Sequence, residues 1–366
     1  MKIRSTTLVC FLLLTYIHGL GQYRFKDDIR IPCTPVKNQH ITGTCWSFSA
    51  ISFLESELLR TGAGNHDLSE MYFVRYAYLQ KAKNYLLRQG KANFSEGGLA
   101  HDVMGIIEQQ GIVPQETYPG LTPGDSIYDH RKLVSSIKSF LDSLIQTQTP
   151  EDNWIAKVEE ILNDHLGDLR NQFSWSGKKY KPETYKSHLG INPSDYANIT
   201  SFTHHPFYQY FVLEIPDNYS NGQYFNVKLE EMMNAIDKAL EKGYSILWDG
   251  DVSEPGFAQE LGVAVLSGYN ISNDSSFNIP VEDTKVDQEI RQLQFFNYQT
   301  TDDHLMHIIG RAKDQNNQIY YIIKNSWGAI GPYGGFLYMS KPYLKLKTVA
   351  ITLHKDALPE KIRERL

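Results

Sequence analysis

Cysteine is scarce in this chain, long apolar runs are absent past the N-terminus, and positive charge is not in excess. Three cysteines occur in 366 residues. One of them, Cys10, lies inside a short N-terminal apolar run. That leaves Cys33 and Cys45, so a disulfide-dense scaffold is excluded. Beyond the N-terminus no stretch is long and apolar enough to cross a bilayer. The net charge is −6 with no basic stripe, so nucleic acid is not an expected partner. Internal repeats and low-complexity tracts are also missing.

What is present is an ordinary soluble composition, long enough for two lobes. Its 23 Tyr and 17 Phe suit a large mixed core and a groove that grips peptides. The first residues pattern as a leader. Lys2 and Arg4 precede the apolar run Leu8 to Leu14, and Gly19-Leu20-Gly21 puts small residues where a signal peptidase reads. The run is too short to span a membrane. We expect a signal peptide over residues 1–21, a new terminus at Gln22, and a secreted or periplasmic product free of the membrane. Cys10 lies mid-run, which speaks against lipoprotein cleavage. Few residues separate Gln22 from Pro32, so no large inhibitory pro-segment is expected. Asn-x-Ser/Thr matches stand at Asn93, Asn198, Asn218, Asn270 and Asn273, and matter in a host that glycosylates.

Ile41 to Gly43 reads as a turn and Cys45 to Arg60 as a helix. Phe48, Ile51, Leu54 and Leu58 recur there at three- and four-residue steps. Gly62-Ala63-Gly64-Asn65 stops it. Ser69 can cap a second helix, with Tyr72, Tyr76 and Leu79 on its buried stripe. Ser95 to Gly98 is a turn, and Ala100 to Gln110 a third helix closed by Gly111. Lys132 to Ile145 and Asn153 to Leu166 read as amphipathic helices, the second with Thr149 as N-cap and Pro150 in its first turn. We assign residues 22–125 to a mainly helical lobe, 126–196 to a helical insertion and 197–366 to a mainly β lobe. In that last part Tyr208 to Ile215, Tyr244 to Trp248, Leu305 to Arg311 and Ile319 to Lys324 read as strands. Leu229 to Leu240 reads as a helix. Asp249-Gly250-Asp251 and Asp314 to Asn317 read as turns, and Asn270 to Asp287 as a polar loop.

Cys45 therefore stands where an amphipathic helix begins. A thiol attacks as thiolate, so its pKa must come down. A helix N-terminus favours an anion, and a nearby histidine can take the proton. His304 follows Asp302-Asp303 at the mouth of an apolar strand, where it can face a groove. His307 projects to the other face and reads as structural. Asn325, in Lys-Asn-Ser-Trp-Gly, can accept the His304 N–H and hold its tautomer, with Trp327 shielding the bond. Acyl transfer also needs oxyanion donors. The Cys45 backbone N–H is one, and the Gln39 side-chain amide is the other. A lone cysteine is more often an inert buried hydrophobe; Asn-Ser-Trp-Gly alone is more often a strand end with a turn. The set, not any member, points to a thiol hydrolase. If Cys33 paired with Cys45 the nucleophile would be lost, so Cys33 reads as an incidental free thiol. His204-His205 lacks a third clustered ligand, and Asp249-Gly250-Asp251 lacks the rest of a calcium loop. Neither a metal nor a cofactor is expected.

In order, Gln39 with Cys45-Trp46 and Phe48, Asp303-His304 with Gly310, and Asn325-Ser326-Trp327-Gly328 resemble the papain-like cysteine peptidases. Thr42 stands where papain has a second cysteine. The separation of Cys45 from His304 is far longer than the roughly 130–150 residues of papain. Those departures, with Leu68 to Tyr72, Glu96-Gly97-Gly98 and Gly111 to Pro114, resemble the bleomycin hydrolase and aminopeptidase C branch. The resemblance implies an α+β two-lobe fold with a helical insertion: a helical lobe carrying Cys45 and a β-barrel-like lobe carrying His304 and Asn325. It implies a peptide or protein substrate, with Gly97 and Gly98 binding substrate backbone like an added strand. Members of that branch form hexamers and carry a C-terminal arm that restricts them to N-termini. Here the tail to Leu366 is short and charged and is not expected to act as that arm. Aminopeptidase and endopeptidase activity thus both stay open, as does a homo-oligomer. The alternatives are an inactive peptide-binding relative and an acyl transferase using the same thiol.

Overall fold

The structure is a computed structural model that describes residues 23–148, 152–266 and 285–366. Outside the described residues lie the leader 1–21, Thr149 and Pro150, and most of the polar loop, with Asn270 and Asn273.

The central element is the helix Cys45–Thr61, and Cys45 through Leu58 are all buried. A helix covered on every side lies inside the molecule rather than on it. Gly62 ends it in the left-handed region at φ 78°, as the glycine cluster predicts. Ser69 caps the helix Glu70–Leu87 by accepting from the Tyr72 N–H at 3.1 Å. The helix Ala100–Gln110 has the predicted bounds, and the Asp102 carboxylate accepts from the Leu99 N–H at 2.8 Å at its start. The predicted helices of the insertion appear as Arg131–Thr147 and Trp154–Leu166. A small hairpin, Phe173–Trp175 with Lys178–Tyr180, and a helix, Pro182–Leu189, follow them. Leu133, Ile137, Leu141, Val158 and Leu162 share one core with Ile51, Leu54 and Phe73.

Among the described residues the rest is built on a sheet of eleven strands in an open pairing order, which does not close into the barrel-like lobe that the resemblance implies. At its centre the strand His304–Lys313 lies antiparallel between Ile246–Gly250 and Ile319–Lys324. Phe336–Ser340 extends one side and Thr348–His354 the other. The helix Leu229–Glu241 packs Met232, Ile236 and Leu240 against Trp248 and Met306 on one face of this sheet. Leu247 and Leu305, on the opposite face, join the helical core.

Two sequence expectations need correction here. Tyr208 to Ile215 contributes only the short strand Tyr210–Val212. Asp249-Gly250 is not a turn but the end of a strand, with Asp249 opposite Leu305 and Ala350. Gly250 is small for packing: a Cβ there would meet the Lys347 carbonyl at 2.3 Å.

Two serines then lay the Cys45 helix along the His304 strand. Ser49 Oγ donates to the Leu305 carbonyl at 2.6 Å, and Ser52 Oγ lies 2.9 Å from His307 Nδ1. His307 is fully buried and edge-on to Phe53, as a structural residue should be. The first residue of the helix and the first residue of the strand are thereby brought together.

Candidate active site

Cys45 opens its helix behind Thr44, whose carbonyl accepts from the Ser47 and Phe48 N–H groups at 3.0 and 3.3 Å. The first N–H groups of the helix have no partner inside it. Trp46, fully buried, anchors this end, and its indole N–H donates to the Glu96 carbonyl at 3.0 Å. The Glu96 carboxylate accepts from the Gly43 N–H at 2.6 Å. The turn before Gly97 is thus tied to the chain on both sides of Cys45.

His304 is buried, with Nε2 at 2.7 Å from Asn325 Oδ1. The Asn325 amide is oriented by its neighbours. Its Oδ1 also accepts from the Ser326 N–H at 2.7 Å, and its Nδ2 donates to Gln259 Oε1 at 2.8 Å. With the amide oxygen facing the ring, His304 must donate from Nε2. Nδ1 is then the nitrogen left to take a proton. The Trp327 ring packs on the imidazole at 4.8 Å between centroids and covers the pair.

Gln39 is held by the same segment. Its N–H donates to the Ser326 carbonyl at 2.8 Å, and Ser326 Oγ donates to Gln39 Oε1 at 2.6 Å. Its amide nitrogen therefore points the other way, donating to the Thr42 carbonyl at 2.7 Å with a second N–H to spare. The Thr42 hydroxyl donates back to the Gln39 carbonyl at 2.7 Å. A pair of hydrogen bonds braces the turn where papain uses a cysteine. Cys33 and Cys45 are both free thiols.

Cys45, His304, Gln39, Gly97, Gly98 and Trp327 line one cleft of about 500 Å³. Asn325 stands directly behind His304. The sequence placed all seven, and the fold brings all seven together. Glycine is needed at both turn positions, though for a reason the sequence does not carry. A Cβ on Gly97 would sit 1.7 Å from Asp217 Oδ2, and one on Gly98 would meet the Trp46 ring at 2.9 Å. The space over Gly97 is occupied by an acidic side chain of the chain itself.

The electrostatics of the site depart from expectation. Burial pushes the Cys45 thiol up to about 12, and the carboxylates of Asp302, Asp217 and Asp249 act in the same direction. A hydrogen bond with the Leu305 backbone works against them. Burial also pulls His304 down to about 4, against the raising effect of Asn325. Each group alone is neutral in this site. Moving the proton from Cys45 to His304 creates two opposite charges that stabilise each other, which neither gains alone. The arrangement suits a base that takes the thiol proton as the thiol attacks.

The peptidase C1-like family matches residues 21–366. The chain belongs to that family. Aminopeptidase C of Lactobacillus helveticus is 24% identical over 381 residues, covering 92% of this chain and 83% of that protein. The mitochondrial cysteine proteinase 1 of Saccharomyces cerevisiae is 22% identical over 393 residues, covering 92% and 78%. PepW from Lactobacillus rhamnosis HN001 superposes with a TM-score of 0.74 at 18% identity, covering 93% of this chain and 84% of that one. The fold is papain-like α+β, and the chain is a cysteine-type peptidase of the bleomycin hydrolase and aminopeptidase C branch.

The structure corrects one count made on the sequence. His204 and His205 do have a third neighbour, Glu214, whose carboxylate lies 3.2 and 2.6 Å from their Nε2 atoms. The hydrogen bonds still disfavour a metal. Gln292 Oε1 accepts from the Thr203 N–H, which turns Gln292 Nε2 toward His204 Nδ1 at 3.1 Å. His204 Nδ1 therefore accepts, and Nε2 carries the proton that a metal would have to replace. The three residues form a hydrogen-bonded set.

Several residues around the site carry no sequence signal. Gln259, which holds Asn325, comes from a stretch without pattern. Asp217 and Lys81 are ordinary surface types in the sequence, but Asp217 is half-buried in the cleft lining and Lys81 is buried behind the Gly97 turn, to whose carbonyl it donates. Ser326 stands inside a recognised motif, yet its hydroxyl role depends on a partner, Gln39, at the other end of the chain.

Proposed function

We propose that this chain is an exported peptidase that hydrolyses peptide bonds through a thioester on Cys45. The reading rests on one observation above all: His304 and Asn325, paired at 2.7 Å, stand in the cleft that Cys45 lines. His304 Nδ1 takes the thiol proton as Sγ bonds to the scissile carbonyl carbon. The oxyanion accepts from the Cys45 N–H and the spare N–H of Gln39. As the carbon–nitrogen bond breaks, the leaving amine takes the proton from His304. Water then attacks the thioester, giving its proton to His304 and returning the thiol. Asn325 keeps the ring in one tautomer throughout. Gly98 and Trp327 border the peptide.

Export is supported by the basic start, the short apolar run and the small residues ending at Gly21. The family match begins at that same point. N-terminal sequencing of the product from its native host should begin at Gln22.

The central test is Cys45→Ala. The purified protein should lose hydrolysis of every peptide that the unaltered chain cleaves. Retained hydrolysis would sink the proposal.

A further inference from the structure

We propose that Asp302 and Asp249, together with Asp217, form a subsite beside Cys45 that binds an ammonium group of the peptide. This rests on the peptidase reading above and adds a specificity to it.

The first observation is a buried carboxylate without a donor. Asp249 is 4% exposed, and no N–H group or hydroxyl donates to either of its carboxylate oxygens; its one hydrogen-bonding neighbour is another carboxyl, Asp302. Asp302 Oδ2 is likewise buried without a donor. Two buried carboxyls that can share one proton but face no cation are costly to ionise, so they point to a positive partner that arrives with the substrate.

Its direction follows from the sheet. Asp249 is the cross-strand partner of Leu305, and cross-strand partners project to the same face. Leu305 and Asp302 line the cleft with Cys45 and His304, while Asp249 is not in the lining and reaches it through Asp302. The charges that act most on Asp249 are those of Asp302, Asp217 and Asp303, all carboxylates. Burial and this crowding hold Asp249 and Asp302 above the usual carboxylate range.

The neighbouring acids are accounted for. Asp251 lies near Lys347 and accepts from the Ser253 and Thr301 N–H groups. Asp303 is exposed and accepts from the Thr301 hydroxyl at 2.7 Å. Lys81 acts on Asp217 and Asp302 through its charge, but its ammonium donates to the Ser95 and Gly97 carbonyls.

The second observation is that the cleft is closed along the Gly97 turn. Asp217 lies over Gly97, and the Gly97 carbonyl is already taken by Lys81. A peptide extending past this point would meet the Asp217 carboxylate and would have to share the Gly97 carbonyl with Lys81. A peptide that starts there would instead present its α-ammonium to Asp217 and Asp302. A lysine side chain next to the scissile residue offers the same chemistry from another source. In either case the added positive charge offsets the three carboxylates that oppose ionisation of Cys45.

The test compares three dipeptidyl coumarin amides on the full-length purified protein at pH 7. One has a free α-amine, Leu-Leu-coumarin. One is its neutral N-acetyl form. One is N-acetyl-Lys-Leu-coumarin. The unaltered protein should cleave at least one ammonium substrate with kcat/KM tenfold or more above the neutral one, and which one identifies the source. Asp302→Asn and Asp249→Asn should bring that ratio toward one through KM, Asp302→Glu should restore it in part, and Asp303→Asn should keep it. Equal rates on all three peptides by the unaltered protein would overturn the subsite, without need of any variant. So would a ratio that survives Asp302→Asn. Failure to cleave any of the three, with Cys45 intact by alkylation and mass spectrometry, would overturn the peptidase reading and the subsite with it.

Discussion

Ser326 donates its hydroxyl to Gln39 Oε1 at 2.6 Å, while its backbone N–H donates to Asn325 Oδ1 at 2.7 Å. One residue thereby orients both side-chain amides of the site. It turns the Asn325 oxygen toward His304 and leaves the Gln39 nitrogen facing away from Ser326, where the proposed mechanism places the oxyanion. Ser326→Ala removes only the first of these bonds. We expect kcat to fall about tenfold with KM little changed, and Gln39→Ala to cost about 10²–10³. Steady-state kinetics on one peptide, run beside Cys45 alkylation, checks this; alkylation should be spared because it forms no oxyanion.

In the proposed mechanism His304 is the group that makes the Cys45 thiol reactive at neutral pH. Burial, with the nearby carboxylates, holds that thiol up near 12, so a protein without the base should keep it protonated at pH 7. In His304→Ala, iodoacetamide labelling of Cys45 at pH 7 should slow by a hundredfold or more and recover only as pH climbs well into the alkaline range. Peptide mapping separates Cys45 from Cys33. An unchanged labelling rate would refute the role.

Gly97→Ala should destabilise the protein by about 1–3 kcal/mol, because the new methyl overlaps Asp217. Asp217→Gly in the same chain should recover most of that loss. A double-mutant cycle by urea denaturation reads the coupling. Additive losses would mean that the two residues do not touch.

Asp302 sits up near 7 in the folded protein, because burial and the neighbouring carboxylates disfavour its charge. A carboxyl whose folded pKa is raised contributes stability at pH below its unfolded value of about 4 and loses it as pH rises through 7. Asp302→Asn should therefore match the unaltered protein at pH 4 and exceed it at pH 8, by about 1–2 kcal/mol once partial solvent screening is allowed for. Thermal unfolding at the two pH values decides it. A variant that is more stable yet less selective would fit an acid kept for binding.

Lys37 lies against Glu55, Asp67 and Glu70 at 3.4, 2.6 and 2.6 Å, under the Cys45 helix. Glu55 and Glu70 have side chains only 1% exposed. Lys37→Met leaves two buried carboxyls without their cation and should cost about 3–5 kcal/mol. The Glu70 carbonyl also accepts from Ser47 Oγ at 2.8 Å, so activity should fall with stability. A melting temperature within a degree of the original would contradict this.

Much of the fold was legible because its elements obey simple periods. The Cys45 helix, its glycine stop, the Ser69 cap and the Ile319–Lys324 strand follow from residue spacing and capping chemistry, which act within a few residues. The short hairpin Phe173–Tyr180 has no such run and escaped. Asp249-Gly250 reads as a turn in one dimension, yet two flanking strands recruit it into the sheet.

The sequence by itself determined the chemical parts: a thiol at a helix start, a histidine at a strand mouth, and two amides. Those follow from residue type and local position. Only the tertiary structure decided how they work. Burial sets the resting charge of Cys45 and His304, and burial is a property of everything packed around them. Gln259 orients Asn325 from a stretch with no pattern, and Asp217 closes over Gly97 from another. Such contacts join residues far apart in the chain, and no local period or motif encodes them.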